Sequence, residues 1–254
     1  MGKDIITKGL VVKVIDVGES DRIITLLTPE EGKLSVSGKG VRNIKSHRLH
    51  TSQLFCFCEF VLSEKNDRFY IKEASLIEDF YALREDLVSL SLAQYIMDVT
   101  STVTITGEDQ SDILSLVLNC LYLLSTKKKS ATLIKAVFEL RLACLLGFKP
   151  DLTCCAGCGK KDDSYFFDID GGTVYCNECQ TSGNGASEGA LIAALDDILL
   201  DTMRYICVAP DKRIFAFPTD DELESELSPI CEKYLIEHLE RSFDTLGFYK
   251  SIRI

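Results

Sequence analysis

The sequence predicts an α+β protein: an N-terminal five-stranded OB-fold barrel over residues 1–80, then a helical domain over 81–254 that a four-cysteine zinc ribbon interrupts at about 151–186. Three observations predict it. Short alternating strands run up to Ile77, period-3.6 patterning follows, and two Cys-x-x-Cys knuckles lie inside the helical half.

The strands are expected at 5–16, 20–28, 32–41, 54–63 and 68–77. β-Branched and aromatic residues dominate them, as in Ile23-Ile24-Thr25 and Phe55-Cys56-Phe57. The breaks carry Gly18, Pro29, Gly38, Gly40 and Asn66-Asp67. Five short strands with no room for crossover helices favour a small barrel, with the OB-fold as the common solution and an SH3-like barrel as its competitor.

Leu83, Leu87, Leu90, Tyr95, Ile96 and Val99 open the helical pattern. Ile113 to Leu124 and Leu133 to Leu145 continue it, with N-cap candidates at Asp109 to Asp112 and a stop at Gly147 and Pro150. Two more helices are expected, from Glu188 to about Val208 and from Asp220 to about Leu246, the last ended by Gly247.

Cys155-Ala-Gly-Cys158 and Cys176-Asn-Glu-Cys179, seventeen residues apart, have the spacing of a zinc ribbon. Each knuckle sets two sulfurs on one side of a tight turn. Four thiolates leave no open position for water, so one Zn2+ held there is structural and not a Lewis acid. Cys154 competes with Cys155 as first ligand; the repeated two-residue spacing favours Cys155. Cys120, Cys144 and Cys207 lie in apolar runs and read as core packing.

With 46% hydrophobic and 26% charged residues, the 254-residue chain has a globular composition. No apolar run is long enough for a membrane helix, the start Met1-Gly2-Lys3-Asp4 does not resemble a signal peptide, and the cysteine count of 11 is odd. A cytoplasmic protein with thiols and metal ligands is expected. The net charge of −11 argues against coating a polyanion by bulk electrostatics. That acidity resides after residue 81, because residues 1–81 hold 12 Lys and Arg against 12 Asp and Glu.

Residues 33–50 contain Lys33, Lys39, Arg42, Lys45 and Arg48, with His47 and His50, and no acidic residue. This segment is either a solvated loop or a phosphate-binding patch of salt-sensitive, sequence-independent character. Phe69 and Tyr70 are candidates for stacking bases beside it or for the core. Lys127-Lys128-Lys129 reads as a solvated turn or as a site for an acidic peptide.

Gly18-Glu19-Ser20-Asp21-Arg22-Ile23-Ile24-Thr25-Leu26-Leu27-Thr28 runs on to Gly32-Lys33 and Gly38-Lys39-Gly40-Val41-Arg42 in the barrel, and Phe138-Glu139-Leu140-Arg141 and Gly147-Phe148-Lys149-Pro150 lead into the ribbon within the helical domain. In these stretches the chain resembles the RecO family of bacterial recombination mediators. The resemblance implies a non-enzymatic DNA repair protein that binds single- and double-stranded DNA and anneals complementary strands. It also implies a protein that works with RecR to help RecA replace single-stranded-DNA-binding protein. DNA contacts would fall on Lys33, Lys39, Arg42, Lys45 and Arg48, and the helical domain would receive the acidic C-terminal tail of the single-stranded-DNA-binding protein. None of the stretches that carry the resemblance lies in the acidic part from Asp196 onward.

Two other classes compete. An NAD-dependent deacylase also carries a four-cysteine ribbon, but no G-x-G-x-x-G follows a strand here, His47, His50 and His238 are poorly distributed for general-base work, and no Ser, Cys or carboxylate has an activating motif around it. An RNA-binding factor with an OB-fold and a ribbon would use the same stacking and phosphate contacts.

Overall fold

The computed structural model describes residues 4–46, 48–162 and 164–252. His47 of the basic segment and Met1 to Lys3 lie outside them. The chain begins with β1 (Asp4–Val17), β2 (Asp21–Thr28) and β3 (Gly32–Gly38). A short helix α1 (Arg48–Thr51) then precedes β4 (Phe57–Lys65) and β5 (Arg68–Glu78). The strands close into a barrel in the order β1-β2-β3-β5-β4. β1 reaches two partners because it bends at an irregularity between Val11 and Lys13. Its first half pairs with β4 and its second with β2. Closure is completed by a parallel contact of β3 with β5, and a five-stranded OB-type barrel results.

Alternation along the strands turns Val11, Ile24, Leu26, Leu34, Val36, Phe60, Leu62 and Ile71 inward, and Cys56 and Cys58 join them as small apolar side chains. Asn66 and Asp67, both at positive φ, make the two-residue turn between β4 and β5.

The helices are α2 (Leu87–Val103), α3 (Ser111–Thr126) and α4 (Ala131–Leu145). Side chains cap the starts of α2 and α4, and a carboxylate contact precedes the start of α3. Asp86 accepts from the Ser89 N–H at 2.9 Å, the Asp109 carboxylate from Ser111, and Ser130 from Leu133. Lys127 ends α3 in the left-handed region, in the turn that also contains Lys128 and Lys129.

Next come β6 (Tyr165–Asp168), β7 (Thr173–Tyr175), α5 (Asn177–Ser182) and β8 (Ile192–Leu195), which form a three-stranded sheet in the order β7-β6-β8. Three helices finish the chain: α6 (Asp197–Val208), α7 (Asp221–Leu239) and α8 (Asp244–Ser251).

Two expectations are corrected. The helix expected from Glu188 starts only at Asp197: Gly189 turns the chain at φ +89°, Ile192 to Leu195 pair with β6, and Asp196 then caps α6 through the Leu199 N–H at 2.8 Å. Pairing with an available sheet edge outweighs helix propensity in this stretch. The helix expected from Asp220 to Leu246 is two. Glu240 takes a left-handed cap at φ +49°, and an extended residue, Phe243, follows. Phe243 is buried edge-on against Tyr95, and that burial interrupts a helix the local pattern would have continued. Gly247 lies inside α8 and ends nothing.

The chain divides into two compact units, Met1–Lys127 with Phe243–Ile254, and Lys128–Ser242. Among the described residues no helix is long and apolar enough to cross a membrane.

Candidate nucleic-acid interface and metal centre

In the barrel unit, the two stretches that flank β2 and β3 meet. The Asp21 carboxylate accepts the Gly40 N–H at 2.7 Å and the Ser20 hydroxyl at 3.0 Å, which holds its pKa below the usual 3.8. Arg42 donates its main-chain N–H to the Ser20 carbonyl at 3.0 Å and its guanidinium to the Gly18 carbonyl at 2.9 Å. Asp16 stands between Arg22 at 2.8 Å and Arg42 at 3.4 Å. Gly40 sits at φ +63°, in the left-handed region that glycine enters at no steric cost, so the turn can present its N–H to Asp21.

The basic side chains have different settings. Lys33 donates to the Ser101 carbonyl at 2.9 Å. Arg48 donates to the Ile71 carbonyl at 2.7 Å and the Lys39 carbonyl at 3.3 Å, tying α1 to β5 and to the turn. Lys39 and Lys45 are exposed, and the Lys39 ammonium lies 5.4 Å from the centroid of Tyr70. His50 pairs with Asp79 at 3.0 Å. Phe69 packs partly against the barrel core, whereas Tyr70 opens into a cleft of ≈ 360 Å³ lined by Ser37, Lys39, Ser63, Lys65, Asn66 and Ile71. Lys65 escaped the sequence reading, although it adjoins the Asn66-Asp67 turn signal.

In the second unit, the Sγ atoms of Cys155, Cys158, Cys176 and Cys179 all lie within 4.8 Å of one another, with Cys158 and Cys176 at 3.7 Å. A tetrahedron with bonds of about 2.3 Å to sulfur has edges of about 3.8 Å, so the cluster fits a four-thiolate ion. Cys154 is not among these four; its sulfur is beside the Thr153 hydroxyl.

The surrounding backbone is shaped for this cluster. A Cβ on Gly157 would stand 2.9 Å from the Cys179 Sγ and 2.6 Å from the Asn184 carbonyl, so only glycine lets the knuckles approach. Burial pushes the Cys155 thiol up, but N–H groups of Cys176, Cys158 and Gly157 outweigh it and bring the pKa down to about 6. At Cys155 the N–H groups favour thiolate, whereas burial and the neighbouring sulfurs push Cys179 up to about 12; a bound cation would favour thiolate at all four. Tyr165, fully buried, accepts the Asp162 N–H at 2.7 Å and anchors the segment between the knuckles.

The Phe138-Glu139-Leu140-Arg141 stretch lies in α4. Glu139 is fully buried and pairs with Lys135 at 3.0 Å, which also meets Glu232 of α7 at 2.7 Å. Arg141 donates to the Cys207 carbonyl at 3.1 Å, near the end of α6, and to Asp211 at 3.3 Å. Both charged residues therefore organise the packing of the helices.

An OB-type barrel with a basic turn, in a chain that also carries a helical unit and a four-cysteine ribbon, defines a modular nucleic-acid-handling class of protein. Within that class, residues 1–80 match the family described as Recombination protein O N terminal, and residues 84–246 match Recombination protein O C terminal. The chain is 35% identical to the DNA repair protein RecO of Acetivibrio thermocellus over 97% of its own length and 96% of that protein. It is 28% identical to that of Caldicellulosiruptor bescii over 97% and 98%, and 28% identical to that of Symbiobacterium thermophilum over 96% of each. The chain belongs to the RecO family of DNA repair and recombination proteins.

Proposed function

We propose that this chain is a recombination mediator that binds single- and double-stranded DNA, anneals complementary strands and, with RecR, helps RecA replace single-stranded-DNA-binding protein, whose C-terminal tail its helical domain receives. It works by binding and not by catalysis, in the cytoplasm at the nucleoid. Residues 1–80 serve as the nucleic-acid-binding domain and 81–254 as the helical domain.

The observation that supports this reading is the clamped basic turn of the barrel. Asp21 and Arg48 hold its backbone at Gly40 and Lys39, so Lys39 projects from a fixed base, and Lys45 is exposed a few residues further on. Lys33, Arg42 and Arg48 add positive potential while they secure the turn and its neighbours. Cys155, Cys158, Cys176 and Cys179 would hold one Zn2+, which when bound supplies a structural staple and no chemistry on substrate. The enzyme reading has less support, because no G-x-G-x-x-G follows a strand in the sequence.

The test is fluorescence anisotropy with a labelled single-stranded oligonucleotide across a salt series, comparing the native chain with a Lys39→Ala, Lys45→Ala variant. Each lost phosphate contact should make the log–log slope shallower by about 0.7. Absence of DNA binding by the native chain, or equal competition by RNA of the same sequence, would overturn the reading.

A further inference from the structure

Closure of the barrel gathers side chains that no stretch of sequence unites. β3 sets Ser37 opposite Tyr70, and β4 sets Ser63 opposite the same Tyr70. Opposed residues share a face of the sheet. Val36 and Ile71, the neighbours of Ser37 and Tyr70, point into the core, so the serines and the tyrosine face outward. Two serines are too short to cover a phenol ring, and the ≈ 360 Å³ cleft is the space they leave. Its size is that of a small-ligand site.

The rim of this cleft is cationic. Lys39 stands over the ring of Tyr70. Lys65 pairs across the ladder with Arg68, and both are exposed and make no ion pair among the described residues. Like charges opposed across a ladder repel and destabilise the pair. An anion seated between them removes that repulsion, and among the described residues Asp67 of the adjoining turn makes no ion pair with either. Two cations that line the cleft, Lys39 and Lys65, and a third, Arg68, opposite Lys65 on the ladder are the elements of a stacking platform beside a phosphate track.

We infer that this cleft is a single-nucleotide subsite: an unpaired base stacks on Tyr70 in place of the Lys39 ammonium, and its flanking phosphates lie against Lys39, Lys65 and Arg68. The inference rests on the DNA-binding reading and adds to it a basis for telling single strands from duplex. Paired bases are stacked on their neighbours and cannot offer a face to Tyr70, so duplex DNA meets only the cations.

The chain contains no tryptophan, so a Tyr70→Trp variant carries one reporter at this position. Its fluorescence is followed together with the anisotropy of a labelled oligothymidylate or of a duplex of equal length. Single-stranded DNA should quench the emission at the concentrations where it binds, and duplex should bind without quenching. Tyr70→Ala should lose roughly 5- to 150-fold in single-strand affinity, the range for one stacked base, and Tyr70→Phe should retain it. Lys65→Ala with Arg68→Ala, at exposed positions, should flatten the salt slope by about 1.4 for two phosphates.

Binding of the single strand with unchanged tryptophan emission would overturn the subsite and leave the wider DNA-binding reading standing. An unaltered slope in the Lys65, Arg68 variant would do the same. No binding of either DNA by the native chain would instead sink the wider reading, and the subsite with it.

Discussion

The Asp21 carboxylate accepts the Gly40 N–H at 2.7 Å. This one bond joins the Gly18-Glu19-Ser20-Asp21-Arg22 stretch to Gly38-Lys39-Gly40-Val41-Arg42 and explains why the two stretches belong together. An acidic residue inside a basic surface would weaken a phosphate site if it were free. Bound to a main-chain N–H, it fixes the backbone from which Lys39 projects.

Asp21→Ala, which removes the acceptor, should therefore weaken DNA binding even though it removes a negative charge. The Gly40 N–H depresses the Asp21 pKa, with help from Ser20 and against the effect of burial. A depressed carboxylate contributes stability above the unfolded pKa, and the contribution is lost as pH falls through the folded one. The Gly40 amide shift, followed by NMR, should thus move with an inflection below pH 3.8; an inflection at or above that value would show that the clamp is not formed in solution.

Arg48 and Lys45 should behave differently although they are three residues apart. Arg48→Ala removes bonds to the Ile71 and Lys39 carbonyls and should lower the denaturation midpoint of the barrel unit. Lys45→Ala should leave stability within about 0.5 kcal/mol, as at other exposed sites, and should reduce the salt slope of DNA binding by about 0.7. Urea titration and salt-series anisotropy on the two variants separate the roles.

Lys135 is 2% exposed between Glu139 and Glu232. Desolvation opposes its charge, but the two carboxylates outweigh it and raise its pKa. The charged form's contribution is thus complete below the unfolded pKa of 10.5 and disappears only as pH rises through the higher folded one. Lys135→Met strands a buried carboxylate and should cost about 3–5 kcal/mol in urea denaturation. Adding Glu139→Gln should recover part of that loss, and purely additive losses would refute the pairing.

Gly157→Ala should impair metal retention more than any other single methyl added to the ribbon, because its Cβ meets the Cys179 sulfur and the Asn184 carbonyl. Metal content after dialysis against a graded chelator series measures this. Chelation of the native chain should raise proteolytic cleavage within 151–195. Equal metal content in native and variant protein at every chelator concentration would contradict the packing.

Local pattern made much of this molecule legible. The inward residues of the barrel follow a period of two, and α2 to α4 follow a period of 3.6 with the caps of α2 and α4 in view, since both depend on neighbours a few residues apart. The knuckles were equally plain, because ligand spacing is a local constraint. The stretch 188–195 was misleading for the complementary reason: its strand exists because β6 offers an edge, and nothing within the stretch announces that edge. Phe243 likewise breaks a helix by virtue of Tyr95, far away in sequence.

The sequence by itself determined the class of fold, the four thiols and the presence of a basic segment in an otherwise acidic chain. Only the tertiary structure decided which cations are free. It tied Lys33 to Ser101 and Arg48 to Ile71, and it placed Lys65 and Arg68 beside Lys39 and Tyr70. Charge is a property of each residue and can be counted along a chain. Availability depends on which carbonyls and rings the closed barrel brings within reach, and in particular on the parallel contact of β3 with β5, which joins residues more than thirty positions apart.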